Sequence, residues 1–125
     1  MNNSKQLGLG FPDKLHSLLK DAERLGFEDI VSWHDDGTSF KVHDSKRFSQ
    51  EIIPQYFKKI KYTSFQRQLS IYCFSRIRTG RKTGGYFHPY FCRDSPELCD
   101  LIHRHVKPAD EKTNSSNSKE EVSVS

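Results

Sequence analysis

The chain has 125 residues, 34% of them hydrophobic, including 9 Phe, 5 Tyr and 1 Trp, and a formal net charge of +4. This length suits one domain, and the aromatic share predicts a core built largely from rings. No stretch approaches the roughly 18 apolar residues of a membrane span, no hydrophobic signal core opens the chain, and 3 cysteines, an odd number, argue against a disulfide scaffold.

The positive charge is concentrated in the middle of the chain. Residues 52–93 hold 9 Lys and Arg and no Asp or Glu, whereas residues 1–51 carry a net charge of −2 and residues 94–125 a net charge of −3. At average composition the middle block would hold about five acids. Their absence favours a phosphate-binding surface over a chance solvated face.

The first predicted helix follows a polar lead-in over residues 1–10. Apolar residues recur at helical spacing from Phe11 onward, and Pro12 suits a first helical turn. We therefore predict a helix over 12–22, before Gly26 interrupts the pattern.

A β-hairpin is predicted next. The runs 30–34 and 39–43 flank Asp35-Asp36-Gly37-Thr38, and Asp-Gly between two such runs is a strong hairpin signal. The aromatic residues of these strands, Trp33 and Phe40, are expected in the core.

A second helix is predicted after the hairpin, capped by Asp44 or Ser45. Pro54 should kink or end it, because proline lacks the backbone donor. Its inward face is predicted to consist of Phe48, Ile52 and Ile53.

A third helix is predicted over 64–73. Thr63 and Gln66 have the spacing of a capping box. The core face of this helix is predicted to contain Phe65, Leu69 and Tyr72, and the opposite face Ser64, Arg67 and Ser70. Arg67 is expected in about the first turn.

The last third of the chain predicts a second hairpin and a short helix. Strands at 74–78 and 86–91 flank the basic, turn-rich loop 79–85, and Pro89 suggests an edge strand. A final helix is predicted to open with Ser95 as cap. Its inner face is predicted to contain Leu98, Leu101, Ile102 and His105. A disordered tail is predicted over 108–125.

This order of elements predicts an α+β fold, a winged helix-turn-helix with a three-helix core and a small antiparallel sheet. In such folds the second helix of the pair enters the major groove, and arginine is the commonest reader of guanine. Arg67 lies on the outward face of that helix. The basic residues that precede and follow it along the chain are expected to contact phosphates: Lys58, Lys59, Lys61, Arg76 and Arg78.

The stretch from Ser64 to Phe74, SFQRQLSIYCF, resembles the recognition helix of the heat-shock transcription factor DNA-binding domain. That family shows Ser-Phe-x-Arg-Gln-Leu-Asn-x-Tyr-Gly-Phe at this place. The resemblance extends over about 11–107, which we predict as one DNA-binding domain. It implies a nuclear transcription regulator whose partner is double-stranded DNA carrying repeats of a five-base unit with GAA.

The resemblance also implies roles for individual residues. Arg67 matches the family's guanine reader, and the residues that match its backbone-contacting positions are Ser64, Gln68, Lys58 and Arg76. Ser70 stands where the family usually has Asn, and is expected to contact a phosphate with a shorter reach. The family's wing serves contacts between neighbouring domains, so residues 79–85 are expected to do the same.

Two departures from the family pattern concern Cys73 and the end of the chain. Cys73 replaces the usual Gly; it is expected to be packed, with redox sensitivity as the alternative. No heptad repeat follows Lys107, so no trimerisation coiled coil is predicted in this chain. The chain is either part of a longer protein or a family member that acts without a trimerisation coiled coil.

Other functions were weighed against DNA binding. The group Cys92, Cys99, His103 and His105 lacks the spacing of a zinc knuckle, so no metal, cofactor or catalytic residue is predicted. A winged-helix protein-interaction module without specific DNA binding remains the main alternative. A small metal-dependent enzyme and an RNA-binding domain are less favoured.

Overall fold

The computed structural model describes residues 10–104. Apart from Gly10, the predicted lead-in over 1–10 lies outside the described residues, as do the tail over 108–125 and His105. Within 10–104, helices pack on one face of a four-stranded antiparallel sheet.

The first helix, α1 (Phe11–Leu25), is longer than predicted. It ends where Gly26 adopts φ +88° and donates its N–H to the carbonyl of Ala22 at 3.0 Å. The prediction stopped at residue 22 because the apolar pattern stops there, whereas the backbone hydrogen bonding continues to the glycine, which adopts the left-handed geometry without steric cost.

The structure confirms the predicted first hairpin. Strands β1 (Val31–Trp33) and β2 (Ser39–Val42) pair antiparallel, with Trp33 opposite Phe40. The turn between them closes through a hydrogen bond from the N–H of His34 to the carbonyl of Ser39 at 2.8 Å.

The second helix is bent and made of three consecutive segments: α2 (Ser45–Arg47), a π-helical turn (Phe48–Ile52) and α3 (Ile53–Phe57). Asp44 is the cap, accepting a hydrogen bond from the N–H of Arg47 at 3.1 Å. Pro54 lies just after the π-helical turn, and it does not end the helix, because the chain continues helically to Phe57. The wide π-helical turn absorbs the change of direction.

The third long helix, α4 (Tyr62–Ile71), begins two residues earlier than predicted and ends two residues earlier. The prediction of a capping box is wrong. Lys61 occupies the cap position, and no side chain caps the free N–H groups of the first turn. Gln66 instead donates to the hydroxyl of Tyr86 at 3.2 Å.

The sheet has the order β1-β2-β4-β3, where β3 is Ser75–Arg76 and β4 is Tyr86–Phe87. Both strands are shorter than predicted. The prediction that Pro89 marks an edge strand is wrong, because β4 pairs with β2 on one side and β3 on the other. Pro89 is tolerated because it follows the last paired residue.

The C-terminal segment of the described chain is a 3-10 helix (Pro96–Leu101), in which Ser95 makes no capping bond. Cys99 within this helix is buried. Of the residues predicted to face inward, Ile102 just after the helix is buried and Leu98 is half-buried, whereas Leu101 is 50% exposed. The prediction for Leu101 is wrong because a 3-10 helix repeats every three residues, not at the α-helical spacing that was assumed.

The core is aromatic, as predicted. Phe91 lies at its centre under the sheet, with ring centroids 4.9 Å from Trp33 and 5.1 Å from Phe74. Phe65 is fully buried beneath α4, 4.9 Å from Phe48 and 5.8 Å from Phe11. These contacts fix the orientation of α4 on the domain.

Candidate nucleic-acid interface

The outward face of α4 is set by two inward residues. Phe65 and Leu69 lie one turn apart and are 0% and 2% exposed, so the opposite side of the helix faces solvent. Ser64 and Arg67 are exposed on this side, while Gln68 is half-buried and Ser70 is exposed near the helix end.

Arg67 is the sixth residue of α4 and therefore lies in its second turn, one turn later than predicted. Its side chain forms no ion pair with another described residue. A ten-residue helix is about 15 Å long, and a B-DNA major groove about 12 Å wide admits one. The middle of α4, where Arg67 lies, would then meet the base edges.

Most cations of the basic block have no acidic partner. Of the 9 Lys and Arg in residues 52–93, Lys82 and Arg93 form ion pairs with described acids. The other seven are exposed and form none with any residue of 10–104: Lys58, Lys59, Lys61, Arg67, Arg76, Arg78 and Arg81. Along the chain they bracket α4, on which Arg67 itself lies.

Lys58 lies at the sharp turn between the second helix and α4. Its backbone has φ +64° and ψ −171°, a region that non-glycine residues rarely adopt. The turn closes by a hydrogen bond from the N–H of Ile60 to the carbonyl of Lys58 at 3.0 Å. The exposed Lys58 side chain is thus held just before α4 at a cost in backbone strain.

Arg76 lies on the edge strand β3 and projects over the ring of Tyr86, with its guanidinium carbon 5.7 Å from the ring centroid. A cleft of about 430 Å³ separates α4 from β3. Its polar lining contains Gln66, Ser70, Ser75, Arg76, Arg78 and Tyr86.

The loop between β3 and β4, residues 77–85, includes the predicted wing loop 79–85 and folds back on the first hairpin. Lys82 forms an ion pair with Asp36 of that hairpin, and a side chain at Gly85 would come within 2.7 Å of the carbonyl oxygen of Phe40. The Lys82 ammonium is the main cause that lowers the pKa of the exposed Asp36 carboxyl to about 2. Sequence reasoning missed this contact, because 46 residues separate the partners.

The cysteines and histidines of residues 10–104 do not form a metal-binding cluster. Within residues 10–104, no three His, Cys, Asp or Glu side chains lie close enough to hold a metal ion. Cys99 is buried, its thiol donates to the carbonyl of Pro12 at 3.8 Å, and burial raises its pKa to about 12. The expectation that Cys73 is packed is wrong: it is exposed and adopts φ +68° directly after α4.

The fold therefore defines a winged helix-turn-helix domain: the bent second helix, a turn and α4, followed by a β-hairpin wing. A family model described as HSF-type DNA-binding matches residues 11–105, and the chain belongs to that family. Among residues 10–104, no helix has the length and apolar character needed to cross a membrane.

Known proteins of the same family are similar over most of the chain. Heat shock factor protein 4 of Homo sapiens is 35% identical over 105 residues, covering 77% of this chain and 21% of that protein. Transcription factor SKN7 of Chaetomium thermophilum is 34% identical over 103 residues, covering 75% of this chain and 13% of that protein. The chain thus spans only 13–21% of the length of these relatives.

Two solved structures are similar in fold as well as sequence. Chaetomium thermophilum Skn7 with HSE DNA has a TM-score of 0.65 and 36% identity, covering 74% of this chain and 97% of that chain. The same protein with SSRE DNA has a TM-score of 0.68 and 33% identity, covering 76% and 98%. The heat-shock-factor resemblance deduced from the α4 motif is confirmed at the level of the family.

Proposed function

We propose that residues 11–107 bind double-stranded DNA sequence-specifically and that the protein regulates transcription in the nucleus by binding rather than by catalysis. The observation that carries the proposal is the outward face of α4, where the exposed Arg67 forms no ion pair with any residue of 10–104 and is preceded and followed along the chain by other cations of the same kind. The relatives solved with HSE and SSRE DNA support the same partner.

Base reading is assigned to Arg67. A guanidinium donates two parallel hydrogen bonds to the N7 and O6 acceptors of guanine, which distinguishes G·C from the other pairs. We propose GAA-type repeats as the target, following the family resemblance of α4. The loss of this contact should remove about 1–3 kcal/mol of discrimination.

Phosphate contacts are assigned to Ser64, Gln68, Ser70, Lys58 and Arg76. Ser64 lies in the first turn of α4, where backbone N–H groups and the helix dipole favour an anion. The strained backbone of Lys58 supports its role as well, because glycine would be the least costly residue there and this chain carries a lysine, whose exposed side chain lies just before α4.

The wing is proposed to serve neighbouring domains rather than to grip DNA. Lys82 is engaged with Asp36 of the first hairpin, so its charge is already partly compensated. Binding of one domain alone should be weak, and tight binding should require several domains on adjacent repeats, because linkage raises the effective concentration of the second contact.

The proposal is tested by titrating the domain with two DNA duplexes, one carrying three inverted GAA-type units and one scrambled. Wild type should prefer the repeats. Arg67→Ala should lose the preference and retain weak, salt-sensitive binding, because the phosphate contacts remain. Lys20→Ala removes one positive charge from the exposed side of α1, outside the basic block, and is the control, which should keep the preference.

Equal binding of both duplexes by wild type would contradict specific recognition. The winged-helix protein-interaction module would then be the better interpretation. Selection of sites from random DNA in the same experiment would show whether a different sequence is preferred.

A further inference from the structure

Tyr86 occupies a junction between α4 and the two strands of the wing. It is the first residue of β4 and lies opposite Arg76 of β3 in the sheet register. Its ring stacks on Phe40 at 5.8 Å, and the residue is 9% exposed. The ring is therefore a fixed surface, held by the core and by both neighbouring strands.

The hydroxyl of Tyr86 contacts α4. It accepts a hydrogen bond from the side-chain amide of Gln66 at 3.2 Å. Tyr62, one turn before Gln66, lies near Tyr86 and Arg76. Burial is the main cause that raises the pKa of Tyr62; Tyr86 raises it further and Arg76 lowers it. The hydrogen bond between Gln66 and Tyr86 thus attaches α4 to β4.

The ring of Tyr86 supports a cation. The guanidinium carbon of Arg76 lies 5.7 Å from the ring centroid, within the range of a cation-π contact. Arg76 is exposed, forms no ion pair with a described acid, and lines the cleft between α4 and β3. Arg78 and the hydroxyls of Ser70 and Ser75 line the same cleft.

We propose that Tyr86 is a positioning residue for DNA binding: its ring holds Arg76 ready for a backbone phosphate, and its hydroxyl holds α4 beside it through Gln66. The inference rests on the proposed function. Tyr86 contacts no DNA itself. A guanidinium held by the ring before binding loses less side-chain freedom when the phosphate arrives, so affinity is gained without an added contact.

A double-mutant cycle on the repeat duplex tests the ring. Arg76→Ala should weaken binding and reduce the slope of log affinity against log salt by about 0.9, the share of one phosphate contact. Tyr86→Leu should weaken binding about two- to fivefold, because the released Arg76 side chain must then lose its freedom when the phosphate binds. In the Arg76→Ala background, Tyr86→Leu should reduce DNA affinity almost no further.

The hydroxyl is tested separately by Tyr86→Phe, which keeps the bulk of the ring and remains informative where leucine prevents folding. Tyr86→Phe and Gln66→Ala should each weaken binding about twofold, and their double variant no more than either alone. Tyr86→Phe should leave the contribution of Arg76 intact. Phe87→Leu, the next residue of β4 on the opposite face of the sheet, is the matched control and should leave affinity unchanged.

Two results would overturn the inference. One is additive loss in the Tyr86→Leu and Arg76→Ala pair, which would make Tyr86 a core residue only. The other is a Tyr86→Phe domain with wild-type affinity. Because phosphate contacts do not depend on sequence, the cycle also works on the scrambled duplex. Failure of sequence preference is therefore distinguishable from failure of the Tyr86–Arg76 coupling.

Discussion

α4 is flanked on both sides by a residue with positive φ. Lys58 precedes it with φ +64°, and Cys73 follows it with φ +68°. Both are exposed, so neither conformation is stabilised by burial of the side chain. The value at Cys73 explains why the family resemblance shows a glycine at this position, since glycine adopts the left-handed region without a clash of its Cβ.

Cys73→Gly should stabilise the domain. Relief of about 1–2 kcal/mol of left-handed strain is partly offset by about 0.4–1 kcal/mol of added freedom in the unfolded chain, so we expect the free energy of unfolding to rise by about 0.5–1 kcal/mol. Urea denaturation measures the change. Cys73→Ala keeps the Cβ and should show no such gain; an equal gain in both variants would assign the effect to the thiol.

At the level of elements, the wing is joined to the first hairpin rather than projecting freely. The N–H of Ile77 donates to the carbonyl of Gly85 at 2.8 Å, and that of Gly84 donates to the carbonyl of Ile77 at 2.8 Å, which closes the loop. The Lys82–Asp36 ion pair then attaches the loop to the β1–β2 turn. Hairpin and wing should therefore move as one unit.

The attachment of the wing predicts a pH dependence. The pKa of Asp36 is lowered to about 2 in the folded domain, so its contribution to stability is present above the pKa of the unfolded chain and is lost as the pH falls towards 2. In Lys82→Met the pKa of Asp36 should rise towards its usual range, and the loss of stability between pH 4.5 and 2 should become shallower. NMR titration of the Asp36 carboxyl and thermal unfolding measure both.

Arg81→Met is the control for this experiment, because the neighbouring residue lacks an acidic partner among the described residues. An Asp36 pKa that stays near 2 in Lys82→Met would mean that the hydrogen bond from the N–H of Thr38 holds the carboxylate, and Lys82 would then not attach the wing loop to the β1–β2 turn.

For the whole molecule, charge is divided between two roles. Outside the basic block, Arg24 and Arg47 bond to nearby acids, and within it Arg93 bonds to Glu23 and Asp94. Of the seven cations that form no ion pair within residues 10–104, Arg67 lies on α4 and the other six precede or follow it along the chain. A modest net charge of +4 thus contains a larger local excess near the proposed interface.

DNA affinity should therefore depend steeply on salt. With about four to seven phosphate contacts, the slope of log affinity against log salt should lie between about −4 and −6, which corresponds to a loss of about 10²–10⁴-fold from 50 to 200 mM salt. Fluorescence anisotropy at several salt concentrations measures the slope. Lys59→Ala should reduce its magnitude by up to about 0.9, whereas Lys20→Ala on α1, outside the basic block, should not; a shallow slope for wild type would contradict a phosphate-based interface.

Short-range signals were sufficient for most of the fold. The Asp-Gly turn, the Asp44 cap, the apolar faces of α1 and α4 and the aromatic core were all predictable, because each depends on residues within a few positions of one another. The α4 motif likewise identified the family, and Arg67, Ser64 and Ser70 were placed on the exposed side of the helix. Their contacts with DNA remain predictions.

Contacts between distant parts of the chain were decided by tertiary packing alone. Gln66 was read as a cap because its spacing from Thr63 fits one, yet it bonds to Tyr86, twenty residues away. β4 lies inside the sheet, and Lys82 meets Asp36, for the same reason: local pattern carries no information about which distant partner a side chain or strand will meet. Periodicity sets which face is buried, whereas the folded core sets what lies against it.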